Sequence, residues 1–442
     1  MHDGPTEQGA QAGWATQRLG DLAALVKGIS YSSDQYCGPG EGAEFITIKC
    51  VSKAGGFRQA GIKNYSGPIR PDELLRQGDI LIANTDLTRA GDIIGCPVLV
   101  PDILDRPVTM SMDLSKLVVD PKVVDARFLY HRLMLADARR FMRENSSGST
   151  VLHLRTSRVP SFQVGLPTCI DEQRAIAQVL DTLDTTIRQT EAIIEKLKQV
   201  KQGLLHDLLT RGIADNGELR PPQSEAPHLY KESALGPIPQ AWCVELLDEV
   251  AIRGSGHTPS KDVKSYWNGG IRWVSLADSH RLDRIYIDTT DKEISELGIA
   301  NSSAVKHPAG TVVLSRDAGV GKSAILASEM AVSQHFMAWD CGDRLNNRYL
   351  YFKLQHMKPA FEAIALGSTV KTIGLDYFKK LRVAVPGRPE QGVVAAIMMD
   401  AEQTIRRHLV ELGKLRELKT GLMDDLLTGR VRVTPLLEGA SQ

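Results

Sequence analysis

One long segment of this chain occurs twice. Glu172 to Ile213 reads EQRAIAQVLDTLDTTIRQTEAIIEKLKQVKQGLLHDLLTRGI, and Glu390 to Val431 reads EQGVVAAIMMDAEQTIRRHLVELGKLRELKTGLMDDLLTGRV. The copies align without a gap and share Glu-Gln, Thr-Ile-Arg, Gly-Leu and Asp-Leu-Leu-Thr in that order. Neither copy holds an interior proline, and both are rich in helix formers, which predicts two long helices. Apolar residues step by fours and threes. The first seam is Ile176, Leu180, Leu183, Ile187, Ile194, Leu197, Leu204 and Leu208; the second is Val394, Met398, Ile405, Leu412, Leu415, Leu422 and Leu426. Polar breaks fall at matched places, Thr190 with His408 and Lys201 with Lys419. Matched seams with polar register markers predict helices that pack on each other. A helix of about 40 residues is about 60 Å long.

The blocks before the helices repeat more faintly. Trp14-Ala-Thr-Gln-Arg-Leu-Gly-Asp-Leu-Ala parallels Trp242-Cys-Val-Glu-Leu-Leu-Asp-Glu-Val-Ala, and Gly148-Ser-Thr-Val parallels Gly367-Ser-Thr-Val. Each block closes on a strand-like run ending in proline, at Pro167 and Pro386. Short β-like runs such as Phe45-Ile-Thr-Ile, Asp79-Ile-Leu-Ile-Ala and Gly310-Thr-Val-Val-Leu-Ser alternate with helical patterns near Asp125 to Arg143 and Asn347 to Leu366. The fold class is therefore α+β, with two mixed α/β blocks and two long helices. The expected boundaries are a tail at 1–13, a block at 14–167, a long helix at 168–213, a proline-rich linker at 214–241, a block at 242–387, a second long helix at 388–432 and a tail at 433–442.

Lys plus Arg and Asp plus Glu both number 53, which excludes a generally basic coating protein but leaves local basic faces open. Residues 14–163 carry 19 bases against 16 acids, and residues 242–386 carry 18 against 16. The six cysteines form no C-x-x-C pair, which suggests neither a zinc ribbon nor a redox motif and fits a reducing, cytoplasmic setting. No apolar run approaches the ~18–20 residues of a bilayer span, so no membrane partner is expected.

The one phosphate-like motif, Asp317-Ala-Gly-Val-Gly-Lys-Ser323, carries Arg316 where a P-loop needs its first glycine, so a nucleotide site is not expected. A turn presenting Arg316 and Lys322 suits phosphate or guanine contact instead. Ser255-Gly-His-Thr-Pro-Ser260 is a hydroxyl-rich loop that either caps a helix or reaches phosphates. Its first-block counterpart, Gly28-Ile-Ser-Tyr-Ser-Ser33, has different residues. There is no His-Glu-x-x-His, no G-x-S-x-G, no Asn-Pro-Pro-aromatic quartet and no nuclease cluster, so no catalytic residue and no metal site are expected.

The ordered set Leu166-Pro-Thr-Cys-Ile-Asp-Glu-Gln-Arg-Ala-Ile-Ala-Gln-Val-Leu, Leu183-Asp, Ile187 and Lys201-Gln-Gly-Leu-Leu resembles the specificity subunit of Type I restriction–modification systems. So do the linker ending Lys231-Glu-Ser-Ala-Leu-Gly-Pro-Ile-Pro-Gln-Ala-Trp242, and the frames Gly78-Asp-Ile-Leu-Ile-Ala-Asn-Thr-Asp-Leu and Gly367-Ser-Thr. The second helix departs from the pattern at Gly387-Arg-Pro-Glu-Gln-Gly, which lacks arginine after Glu-Gln. The resemblance implies two target recognition domains, each reading one half of a split double-stranded DNA site, on helices paired as an antiparallel coiled coil. It implies no cofactor in this chain. Two modification subunits would supply S-adenosylmethionine, and two restriction subunits would use ATP and Mg.

Under that resemblance the candidate DNA contacts are Ser30, Ser32, Arg89, Ser149 and Thr150 in the first block. In the second they are Ser255, His257, Thr258, Lys261, Arg316, Lys322, Ser368, Thr369 and Lys371. The rival readings are the recognition subunit of a Type IIB-like enzyme and a non-catalytic coiled-coil scaffold.

Overall fold

The computed structural model describes residues 13–53, 55–88, 90–102, 104–367 and 371–433. Two continuous helices, Ile170–Thr210 and Arg388–Leu426, occupy the repeated segments. The chain divides into two compact units, and each helix contributes to both. The first unit takes residues up to 191 and from 411 onward, and the second takes 192–410.

In the first unit the strand Trp14–Arg18 pairs antiparallel with Gln163–Pro167, closing the block on itself. A four-stranded sheet has the order Ala23–Lys27, Leu114–Val119, Ile80–Ala83, Pro97–Leu99, with every pair antiparallel. A second sheet sets Ala43–Ile46 antiparallel to Lys63–Tyr65 and parallel to Val108–Met110. The helices Ala126–Leu133 and Ala136–Glu144 fill the expected helical stretch. The core joins Phe128, Leu129 and Met142 of the block to Ile176, Ala177 and Leu180 of the first long helix and to Leu426 and Leu427 of the second.

The second unit repeats this plan. Cys243–Leu246 pairs antiparallel with Arg382–Val385. The strands Ile252–Ser255, Phe336–Asp340, Val312–Ser315 and Ser323–Leu326 stand in the same order as their first-unit counterparts, with Tyr286–Ile287 added at the edge. Trp267–Val274 is antiparallel to Lys292–Ile294 and parallel to Met330–Val332. The helix Asn347–Ile364 packs Tyr349, Phe352 and Phe361 into a core shared with Leu205, Leu208 and Leu209 of the first long helix and Val394 and Met398 of the second. The sequence between 214 and 241 reads as extended linker, yet it carries its own strand pair, Tyr230–Lys231 with Ile238–Pro239. It buries Tyr230 and Ile238, and Tyr230 Oη donates to Pro221 O (2.6 Å).

Every predicted seam residue is buried or half-buried. The polar breaks are satisfied across the seam: Lys419 pairs with Asp184 in the first unit, and Lys201 pairs with Glu402 in the second. In the first unit Glu172, Asp184 and Glu191 meet Arg432, Lys419 and Arg416 in that order, so the helices there run antiparallel. In the second unit Lys201 meets Glu402 while Ile213 N, beyond the end of the first helix, donates to Glu390 at the start of the second; the sense is again antiparallel. A lysine in an apolar seam is tolerated only when a carboxylate meets it, so these pairs also fix the register.

Candidate nucleic-acid interface

In each unit an inner strand of the larger antiparallel array, Ile80–Ala83 or Val312–Ser315, ends in a loop that meets other loops of the same unit. The backbone frame is the same twice. Asn84 N donates to Asp113 O (2.7 Å), as Arg316 N donates to His335 O (2.9 Å). Leu154 N donates to Asn84 O (2.8 Å), as Ile373 N donates to Arg316 O (2.9 Å). Ser111 N reaches Ile46 O as Ser333 N reaches Val274 O. Gly28 and Gly256 pass so close to Ser111 O and Val332 O that a Cβ at either would overlap the carbonyl. Aromatic groups pin the glycine loops: Tyr31 packs edge-on to Phe45 (5.0 Å between centroids), and Trp273 Nε1 donates to His257 O (3.1 Å).

The side chains on this common frame differ. In the first unit Thr85 Oγ1 donates to Asp113 Oδ1 (3.0 Å). The matched pair in the second unit is Asp317 and His335, with Nδ1 2.7 Å from Oδ2. A carboxylate only accepts, so that nitrogen carries the proton. Thr372 Oγ1 donates to the other Asp317 oxygen, and Arg316 Nε lies 3.6 Å from it. Thr258 Oγ1 donates to Gln334 Oε1 (2.5 Å), which brings in the glycine loop. Ala318 sits at φ 44°, a left-handed conformation costly for a residue with a Cβ and held by these neighbours. The first unit organises its own loop through Asp86, which is buried and accepts from Thr88 N (2.6 Å), Ile93 N (2.5 Å) and Ile94 N (2.9 Å). Burial works to raise that carboxyl, but the hydrogen bonds outweigh it and hold the group below the ordinary range.

The candidate contacts fall as follows. Ser30 and Ser32 are exposed, and Ser32 caps the turn at Ser33–Gln35. Ser149 and Thr150 are exposed at the tip between Ser146–Ser147 and Leu152–Leu154. Ser255, His257, Lys261 and Lys371 are exposed, and Thr258 is half-buried. Arg89, Ser368 and Thr369 lie outside the described residues. Lys322 turns inward: its Nζ donates to Ser279 O (3.0 Å) and Oγ (3.1 Å). Ser323 after it begins a buried strand rather than a helix, so the glycine-rich stretch is a strand–turn–strand and not a phosphate cradle. Three second-unit segments, around Thr258, Arg316 and Lys371, are joined through Asp317, at the head of the glycine-rich stretch, and through Gln334, His335 and Thr372, which do not stand out in the sequence. Among the described residues no group of His, Cys, Asp and Glu is placed to hold a metal ion. No helix among them is long and apolar enough to cross a membrane.

Residues 11–199 and 239–417 match the family described as Type I restriction modification DNA specificity domain, once in each half. The chain is 21% identical over 447 residues to the Type I restriction enzyme MjaVIII specificity subunit of Methanocaldococcus jannaschii, covering 96% of this chain and 94% of that protein. It is 29% identical over 171 residues to the MjaIX specificity subunit of the same organism, covering 38% of this chain and 40% of that protein. The fold resembles the crystal structure of a Type I restriction–modification S subunit from M. genitalium, with TM-score 0.58 and 16% identity over 96% of this chain and 97% of that one. A chain solved for complex assembly and conformational transition of the type I R-M system gives TM-score 0.53 at 16% identity, covering 97% of this chain and all of the other.

Proposed function

This chain belongs to the Type I restriction modification DNA specificity family, and we propose that it reads a bipartite, asymmetric DNA site, one half through each loop cluster. The observation that carries the reading is the contrast between the two clusters. Their backbone hydrogen bonds match, whereas Asn84, Thr85 and Asp113 give way to Arg316, Asp317 and His335. Two copies kept for packing alone would have no need of different side chains on one frame. Two readers of different sequences need just that, because base identity is read by side-chain donors and acceptors in the groove. Exposed Ser30, Ser32, Ser149, Thr150, Ser255, His257, Lys261 and Lys371 supply hydroxyl and cationic contacts to phosphate, which set position rather than sequence.

The chemistry belongs to partners. Two modification subunits bind S-adenosylmethionine and methylate an adenine flipped from the duplex, and two restriction subunits use ATP and Mg. Exposed apolar residues on the long helices, Ile193, Val200, Leu409, Val410 and Leu418, serve as part of the docking surface for the modification subunits. The test is a methylation map of a host carrying this chain with its modification partner. One bipartite motif, methylated only when this chain is present, is the expected result. Methylation that does not depend on this chain would overturn the reading.

A further inference from the structure

The two clusters differ most at one matched pair, Asn84 and Arg316. Asn84 is buried, and its Nδ2 donates to Met112 O (3.1 Å) and Ser115 Oγ (2.9 Å), so its amide is turned into the protein. The Arg316 side chain keeps 19% exposure. Its Nε lies 3.6 Å from Asp317 Oδ1, with no hydrogen-bond partner, and among the described residues its side chain makes no other polar contact. Asp317 itself cannot swing away. His335 Nδ1 holds one oxygen and Thr372 Oγ1 the other, and Ala318 N is fixed to Lys371 O (3.2 Å).

A guanidinium that is largely buried beside a locked carboxylate has two consequences. Its range of orientations is narrowed before any ligand arrives, so less rotamer entropy is left to lose. Its terminal N–H groups make no hydrogen bond among the described residues and stay available as a pair of donors at the loop cluster. Guanine presents two acceptors, O6 and N7, to the major groove at the spacing such a fork matches; adenine puts a donor where O6 would be.

We propose that Arg316 reads a guanine in the second half-site, with Asp317 as its positioning residue, locked in turn by His335 and Thr372. This rests on the DNA-recognition reading above. The first unit has no equivalent fork at Asn84, so this guanine contact belongs to one half-site only.

The test uses the complex of the full chain with its modification subunit. It measures affinity for duplexes varied one base pair at a time, and for duplexes carrying 7-deazaguanine, which lacks the N7 acceptor. One position of the second half-site should prefer G·C by about 5- to 150-fold. Replacing that guanine by 7-deazaguanine should weaken wild-type binding. Arg316→Gln should lose the preference at that position, become indifferent to 7-deazaguanine and keep the first half-site unchanged. Asp317→Asn should weaken the same preference and move no other. Arg316→Gln that weakens all sequences alike would make the residue a phosphate contact and overturn the proposal, as would Arg316→Gln that keeps every preference. Should Arg316→Gln fail to assemble, the wild-type complex decides: no second-half guanine sensitive to 7-deaza substitution overturns it. A wild-type complex without any sequence preference would instead overturn the recognition reading itself.

Discussion

Gln391 repeats, contact for contact, what Gln173 does at the start of the first long helix. Each donates Nε2 to the proline carbonyl that ends its block, Pro167 O or Pro386 O, at 2.9 Å. Each donates again to a carbonyl ahead of the block's helix, Val123 O (3.3 Å) or Arg344 O (3.1 Å). Each accepts on Oε1 from the N–H of that helix's N-cap residue, Asp125 (2.9 Å) or Asn346 (2.7 Å). One buried side chain thus ties the closing strand, the block helix and the long helix together in each unit. Gln173→Ala or Gln391→Ala leaves buried backbone groups unpaired, at a cost of about 1–3 kcal/mol. Hydrogen exchange should quicken around 123–125 and 170–175 for the first variant, and around 344–346 and 388–393 for the second.

The glutamates beside these glutamines have unequal weight. Glu390 accepts from both terminal nitrogens of Arg220 (Nη2 to Oε2, 3.1 Å), from Trp242 Nε1 (3.1 Å) and from Ile213 N (2.8 Å), and the Arg220 side chain keeps only 10% exposure. Glu172, fully buried, takes Arg432, whose side chain keeps 29%. Losing one partner of a buried pair costs about 3–5 kcal/mol because the other charge is stranded. Urea unfolding should show Glu390→Ala costing near that range, and Glu172→Ala less, since Arg432 has water to fall back on.

Acid should weaken the second unit early. Burial first, then the charges of Lys353 and His206, push His356 down to about 4, and burial shifts His307 in the same direction. Between pH 6.5 and 4 the unfolded chain therefore binds protons that the folded unit refuses. The contribution is intact above pH 6.5 and is lost as pH falls through that window. For the partly accessible His356 it amounts to about 1–3 kcal/mol after allowance for solvent screening. Urea midpoints followed by tryptophan fluorescence, dominated by Trp242, Trp267, Trp273 and Trp339, should fall from pH 7 to pH 4.5, and less steeply in His356→Gln.

Gly28→Ala and Gly256→Ala each place a methyl group on a backbone carbonyl, of Ser111 or Val332, that has nowhere to retreat within a sheet. Each substitution should disturb only its own loop cluster. In a methylation map, Gly28→Ala should degrade one half of the motif and Gly256→Ala the other, and thermal melting should place the loss of stability in the unit that carries the substitution.

The helices were legible because coiled-coil periodicity is local. Every third or fourth residue from Ile176 to Leu208 declares the buried face, and Lys201 and Lys419 declare the register. The duplicated blocks were harder to read, since their strands are two to eight residues long and only the order of pairing reveals the match. The loop cluster was the least legible part. Asp317 meets His335 across 18 residues and Thr372 across 55, contacts set by strand register rather than by any motif. Lys322 shows the converse: a lysine in a glycine-rich turn suggests a phosphate contact, but the turn directs it to Ser279. Arg316 itself is legible from its place before the glycine-rich turn, and its alignment with Asn84 shows that the first block does not share it.

The central claim is that two separate loop clusters read two halves of one DNA site. Exchanging residues 14–163 for the corresponding block of another family member, followed by a methylation map of the host, tests it most directly. The account predicts a new sequence in one half of the motif, with the other half unchanged. A map in which both halves change together, or neither does, would contradict it.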